Sequence, residues 1–199
     1  MLEKGLKVEA EGLLKLIDRG DEAAFAKLYA LYSKRLTAFS ISILQSSEMA
    51  EEVVEDVFVK LWNKRGSLVS IDNISVYLYI ATKNQTLSYL SDKAKKLITA
   101  PFDDLNTSIE AIHQDPHSLL ISSEMLARVN AAIEALPPRC KMIFKLIRED
   151  GLKYKEVAAI LNISVNTIDA QMAIAVKRIC QAMGISKNAI KFPREKETL

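Results

Sequence analysis

Histidine, cysteine, glycine and proline are all scarce in this chain: 2, 2, 6 and 5 of its 199 residues. Each scarcity excludes something. With so few histidines, general acid–base chemistry has little to work with. There is no glycine-rich phosphate loop and no GxSxG nucleophile turn. Cys140 and Cys180 lie far apart, without CxxC spacing, each inside a helical pattern. They read as small buried or half-buried hydrophobes rather than metal ligands or nucleophiles. His113 and His117 are four apart, but Pro116 spoils the helix between them and no third ligand is clustered nearby. No apolar run reaches membrane-spanning length. The opening residues, MLEKGLKVEAEG, carry charges at close intervals where a secretory segment needs an apolar core. The expectation is a cytoplasmic protein that is not an enzyme, with no catalytic residues, no metal and no cofactor.

What is present favours helices. Hydrophobic residues make up 49% of the chain, enough for a core. Ala, Leu, Ile, Lys and Glu are abundant. The fold class expected is all-α: two small helical domains joined by a flexible linker, the second containing a helix-turn-helix. The net charge of +2 hides a division. Residues 1–96 carry 14 Lys/Arg and 13 Asp/Glu; residues 97–127 carry 5 acids and no Lys or Arg; residues 128–199 carry 13 Lys/Arg and 7 acids. The basic surplus sits at the C-terminal side, as phosphate binding requires, and the acidic stretch marks a linker.

The domain plan is a lead-in over 1–20, a helical domain over 21–95, an acidic linker over 96–119, a second domain over 120–185 and a tail over 186–199. Residues 1–20 read as a weakly amphipathic lead-in. Asp21 N-caps a helix whose stripe is Ala24, Phe25, Leu28, Tyr29, Leu31 and Tyr32. Gln45-Ser46-Ser47 breaks it. A second helix runs from about Ser47 to Lys64, with Ala50, Val53, Val54, Val57, Phe58, Leu61 and Trp62 on its apolar face. Its other face begins with Glu48, Glu51, Glu52, Glu55 and Asp56 and ends with Lys60, Lys64 and Arg65, which suits the helix dipole. Those carboxylates have the composition of a divalent-ion site, but solvation on a helix surface accounts for them more simply. Val59 is an apolar residue among carboxylates, the composition of a docking surface. Arg65–Asn73 reads as a loop, and Asp72 or Asn73 as the cap of a third helix, Ile74–Lys95. There, Lys83, Asn84 and Gln85 interrupt the apolar pattern beside Tyr77 and Tyr89. Aromatic, amide and lysine side chains together can stack on and bond unpaired bases. Lys96–His117 reads as a tether with one short helix near 105–112.

In the second domain, Leu119–Ala135 is helical, with Leu126, Val129, Ala132 and Ile133 inward. Pro137-Pro138 ends it and starts the next helix, striped by Met142, Ile143, Leu146 and Ile147. The last and most informative stretch is YKEVAAILNISVNTIDAQMAIAVKR, residues 154–178. Val157, Ala158 and Leu161 line a first helix; Ile168, Met172 and Ala175 line a second. Asn162 stands at the corner, where it tolerates a left-handed backbone, and Ser164 caps the second helix. Ala158 is small where the helices cross. This is the pattern of a helix-turn-helix whose second helix enters the DNA major groove.

Taken together and in order, AEEVVEDVFVKLW (50–62), VYLYIATKNQTLSYL (76–90), ALPPRCKMIFKL (135–146) and YKEVAAILNISVNTID (154–169) resemble the extracytoplasmic-function (ECF) class of bacterial RNA polymerase sigma factors, over about residues 21–185. The resemblance implies that residues 21–95 are sigma region 2 and 120–185 region 4. It implies docking on core RNA polymerase through Glu52, Glu55, Asp56 and Val59. It implies capture of −10 bases by Ser75, Tyr77, Lys83 and Asn84. It implies −35 reading through Lys153, Lys155, Asn166, Thr167, Gln171, Lys177 and Arg178. The implied partners are core RNA polymerase, promoter DNA and an anti-sigma factor, with no membrane insertion of the chain itself. One departure stands out. The recognition helix is poor in positive charge, with Asp169 in its midst, so phosphate binding falls to Lys153, Lys155, Lys177 and Arg178. The alternatives are a helix-turn-helix regulator that acts without being a polymerase subunit, a helical adaptor with no DNA role, and a DNA enzyme. Residues 21–95 show no strand pattern for a receiver domain, and no metal or nucleophile constellation supports the last.

Overall fold

Short polar caps decide where the helices start. The computed structural model describes residues 2–96 and 123–184, with side chains for 10–91, 125 and 127–184. The expected short helix near 105–112, the histidine pair and the tail lie outside the described residues. Asp21 accepts from Ala24 N–H at 2.9 Å and starts α2, Glu22–Leu44. Gln45 ends that helix in the left-handed region (φ 59°), and Ser46 caps α3, Ser47–Asn63. Asn73 Oδ1 accepts from Val76 N–H at 3.2 Å at the head of α4, Ile74–Lys96. Between α3 and α4 the expected loop is a 3-10 turn, Arg65–Ser70.

The lead-in is a helix too: α1, Leu2–Asp18. Ala10, Leu13, Leu14 and Ile17 are buried, spaced 3, 1 and 3 apart, and the helix packs on α2, α4 and the 3-10 turn. In the sequence alone the larger part of its partner surface is hidden, because the 3-10 turn, Arg65–Ser70, lies some fifty residues away. In the first-domain core Phe25 lies tilted against Trp62 (centroids 4.9 Å), and Tyr29 meets Phe58 (4.9 Å) and Phe39 meets Tyr79 (5.3 Å) edge to face. A buried polar strip runs between α2 and α4, where Ser40 Oγ and Thr86 Oγ1 lie 3.0 Å apart.

The second domain comprises α5 (Ser123–Glu134), α6 (Pro138–Arg148), α7 (Tyr154–Leu161) and α8 (Val165–Ala182). Pro138 occupies the first turn of α6, where its missing N–H costs nothing. Glu134 clamps α5 to α6 by bonding Lys141 at 3.0 Å and Lys145 at 2.8 Å. Burial pushes the Glu134 carboxyl up, and the two lysines outweigh it, so the group lies below its usual range. The core is mainly aliphatic: Ile143, Leu146, Val157, Ile160, Ile168, Met172 and Ala175, together with the buried Phe144 and Cys140. Among the described residues no single helix is long and apolar enough to cross a membrane.

Candidate nucleic-acid and protein interfaces

The acidic face of α3 stands as the sequence suggests, but it has two sides. Glu52 and Asp56 lean toward α4. Asp56 Oδ2 accepts from Gln85 Nε2 at 3.0 Å, Lys60 Nζ donates to Gln85 Oε1 at 2.6 Å, and Tyr89 Oη reaches Glu52 at 3.4 Å. The Glu52 carboxylate, with smaller contributions from desolvation and Glu48, holds the Tyr89 hydroxyl above its usual range. Val59, 58% exposed, continues this side. Glu55 instead lines a cleft toward α6 together with Glu51. The four residues expected to act together are therefore brought together as three plus one.

On α4, Tyr77 and Asn84 share a face at helical spacing, and Lys83 flanks it. Tyr77 and Lys83 are half-buried and Asn84 is exposed. Ser75 is not with them. It shares the Leu78, Thr82 and Thr86 side and hydrogen-bonds the buried Tyr32, whose hydroxyl is pushed up chiefly by burial. The turn leading into α4 is fixed by Trp62: Arg65 lies over its ring at 5.0 Å and donates to its carbonyl at 3.2 Å.

The helix-turn-helix forms as spaced. Asn162 ends α7 at φ 55°, ψ 48°, in the left-handed region. Ser164 Oγ accepts from Thr167 N–H at 3.1 Å, and α7 and α8 bend by 109°. The outward face of α8 carries Asn166, Asp169, Ala170, Ala173, Ile174 and Lys177, all exposed. Thr167 and Gln171 are half-buried, with the Thr167 hydroxyl 2.8 Å from Ser164 Oγ. Cys140 Sγ donates to the Gln171 carbonyl at 3.3 Å, so the cysteine tethers α8 to α6, and burial pushes its thiol up. Lys153, Lys155, Lys177 and Arg178 are exposed at the base of α7 and the far end of α8. Among the described residues no group of three or more metal-ligating side chains forms.

Sequence reasoning missed the contacts between the two domains. Asn73 Nδ2 donates to Glu156 Oε1 at 2.7 Å, across 83 residues. Glu156 Oε2 meanwhile accepts from Lys153 N–H at 2.8 Å, capping α7. Asp150 faces Arg35 at 3.8 Å. No local pattern signals such pairs.

Residues 28–96 match the family model of sigma-70 region 2, and residues 126–179 that of sigma-70, region 4. The ECF RNA polymerase sigma-E factor of Escherichia coli (strain K12) is 25% identical over 166 residues, covering 80% of this chain and 86% of that one. The RNA polymerase sigma-H factor of Pseudomonas aeruginosa is 21% identical over 180 residues, covering 86% and 92%. In fold, the chain is similar to the sigma factor RpoE, solved in complex with the anti-sigma factor NepR from Bartonella quintana. That likeness has a TM-score of 0.56 at 23% identity, over 81% of this chain and 97% of that one. It is also similar to CnrH, solved with the cytosolic domain of CnrY, with a TM-score of 0.52 at 19% identity over 88% and 97%.

A region 2 domain followed by a region 4 domain defines a bacterial transcription-initiation subunit, and the chain belongs to the sigma-70 family. Within it, this is a sigma factor of the extracytoplasmic-function type: it binds core RNA polymerase and directs initiation at specific promoters.

Proposed function

We propose a division of that activity among named side chains. The exposed α3 face of Glu52, Asp56 and Val59, with Glu55 at its edge, docks on core polymerase. A mixed acidic and apolar face suits a polar-rimmed protein interface. Tyr77, Lys83 and Asn84 on α4 take up unpaired bases of the −10 element. Separating those bases costs a few kcal/mol, which stacking and hydrogen bonds offset. Ser75 supports this site from behind, through Tyr32, rather than touching DNA. The outward face of α8 reads the −35 element through Asn166, with Thr167 and Gln171 at its margin. Lys153, Lys155, Lys177 and Arg178 hold phosphates. The chain performs no chemistry of its own, acts in the cytoplasm, and is held when idle by an anti-sigma factor; RpoE, which it resembles in fold, was solved in complex with the anti-sigma factor NepR.

The observation that carries this reading is the order of the two region matches on one chain, with an exposed acidic helix face in the first. Reconstitution with core polymerase tests it. Run-off transcription from a genomic fragment library should give few, specific starts. Asp56→Lys should weaken core binding with helicity unchanged; wild-type affinity in that variant removes α3 from the interface. Asn84→Ala should reduce promoter opening more than closed-complex binding, and equal losses in both would contradict a role at unpaired bases.

A further inference from the structure

The turn between α6 and α7 presses the second domain onto the first. Its Asp150 side chain is 14% exposed although it is ionisable, and every group that encloses it from across the interface belongs to the other domain. Arg35 of α2 approaches at 3.8 Å. Tyr79 of α4 is buried with its hydroxyl directed at the Asp150 carboxylate, and the geometry stops short of a well-formed hydrogen bond. Tyr32 of α2 lies behind Tyr79. On its own side Asp150 has Lys145 and Glu149. Beside this cluster, Asn73 spends one amide atom capping α4 and the other on Glu156 of α7.

We propose that Asp150 is a proton-sensitive pin for closure of the region 4 domain onto the region 2 domain, so that acidification favours the closed chain and neutral or alkaline pH favours the open one.

The closed contact matters because it keeps the two readers together, a step that rests on the promoter assignments above. The −10 and −35 elements lie about 25 base pairs apart, roughly 85 Å of duplex at 3.4 Å per pair. Here α4 touches α7 directly, and α8 adds only about 27 Å at 1.5 Å per residue. The closed chain reaches one element or neither, so promoter reading requires the pin to release.

The direction with pH follows from the burial. Desolvation raises the Asp150 carboxyl from 3.8 to about 6 in the closed chain, while Tyr79, Arg35 and Lys145 pull it down by less and Glu149 pushes it up. In an opened chain Arg35, Tyr79 and Tyr32 leave, and the carboxyl returns to its ordinary range. The closed form therefore binds the proton more tightly. Its advantage is fully present below about 4 and is lost as pH rises through about 6. Between pH 8 and pH 5 the closed-to-open ratio should rise about tenfold.

Small-angle X-ray scattering on the full chain, without DNA or polymerase, tests this. The wild type should contract from pH 8 to pH 5. Asp150→Asn, which carries the neutral amide at every pH, should be compact at both. Asn73→Asp keeps an N-cap and sets a second carboxylate against Glu156, so it should be expanded at pH 8 with unchanged far-ultraviolet circular dichroism. A wild type whose radius of gyration ignores pH, an Asp150→Asn chain that keeps the wild-type response, or an Asn73→Asp chain no larger than wild type would each overturn the pin. Because no promoter is present, such a failure leaves the promoter assignments standing, and failed run-off transcription leaves closure standing.

Discussion

The two domains are built from different materials. Nine of the thirteen aromatic residues lie in the first domain, where ring pairs knit α2, α3 and α4 together and Trp62 pins the turn that leads to α4. The described part of the second domain has only Phe144 and Tyr154, and its core is built from Ile, Leu, Val, Met and Ala. Capturing unpaired bases needs a rigid wall beside a fixed turn, and rings bury 150–250 Å² each at little entropic cost. Reading a duplex needs only one exposed helix held at a set angle, which small residues at a tight crossing provide. The difference predicts unequal stability. A domain of about 60 residues buries only about 60% of its unfolded surface and is marginal.

The largest expected effect exploits that inequality. Ile168 is fully buried in the second domain, and Leu28 fully buried in the first. Truncating either to Ala costs about 2–5 kcal/mol. Ile168→Ala should abolish amide protection across α5–α8 while α2–α4 stay protected; Leu28→Ala should lower protection in the first domain without unfolding it. Hydrogen exchange read segment by segment separates these outcomes. If both domains lose protection together in Ile168→Ala, the interface makes them one cooperative unit and the two do not differ in stability.

Capping comes next in size. Asp21 and Ser164 cap α2 and α8 through the same side-chain geometry, at 2.9 and 3.1 Å. Replacing either with Ala should cost about 1 kcal/mol. In the marginal second domain the same loss is the larger share of the total. Thermal unfolding should therefore shift further for Ser164→Ala than for Asp21→Ala.

These caps were legible in the sequence because capping is local. So were the α3 stripe and the Asn162 corner, where side chain and consequence lie within four residues of each other. The α1 stripe was equally regular, yet much of the surface it packs on, the 3-10 turn and α4, is distant in sequence, and an amphipathic helix whose partners are mostly remote reads as a lead-in. Ser75 shows the same limit at a candidate site. Helical position places it near Tyr77, but Tyr32, brought in by α2, decides where its hydroxyl points. Asp150 belongs to none of the sequence motifs, and Glu156 is there one residue of a helical run. Their burial and their partners are created by the docking of one domain on the other, which no window of local sequence encodes.

Asp169 sharpens the electrostatic side of the comparison. It is exposed on the outward face of α8, and if that face meets the −35 element as proposed, its carboxylate near phosphates costs binding energy. Asp169→Asn in the reconstituted holoenzyme should tighten promoter binding a few-fold, an effect of about 0.5–1 kcal/mol that shrinks as salt rises. Weaker binding, confined to promoters with a cytosine at one −35 position, would instead make Asp169 a base reader.

The smallest effect compares the two corners. Among the described residues each domain has one non-glycine residue in the left-handed region: Gln45 at φ 59° and Asn162 at φ 55°. For an ordinary side chain this conformation costs about 1–2 kcal/mol, because Cβ crowds the following carbonyl. Asn relieves part of that cost by local hydrogen bonding, and Gln does not. Glycine carries no such penalty but adds freedom to the unfolded chain, worth about 0.4–1 kcal/mol. Gln45→Gly should therefore stabilise the first domain by up to about 1 kcal/mol, while Asn162→Gly should leave the second within about 0.5 kcal/mol of wild type. Chemical denaturation followed by domain-resolved exchange measures both. Equal gains at the two positions would mean that Asn162 is as strained as Gln45, and that the corner of the helix-turn-helix is held by its flanking packing, Ala158 against α8, rather than by its own tolerance of the turn.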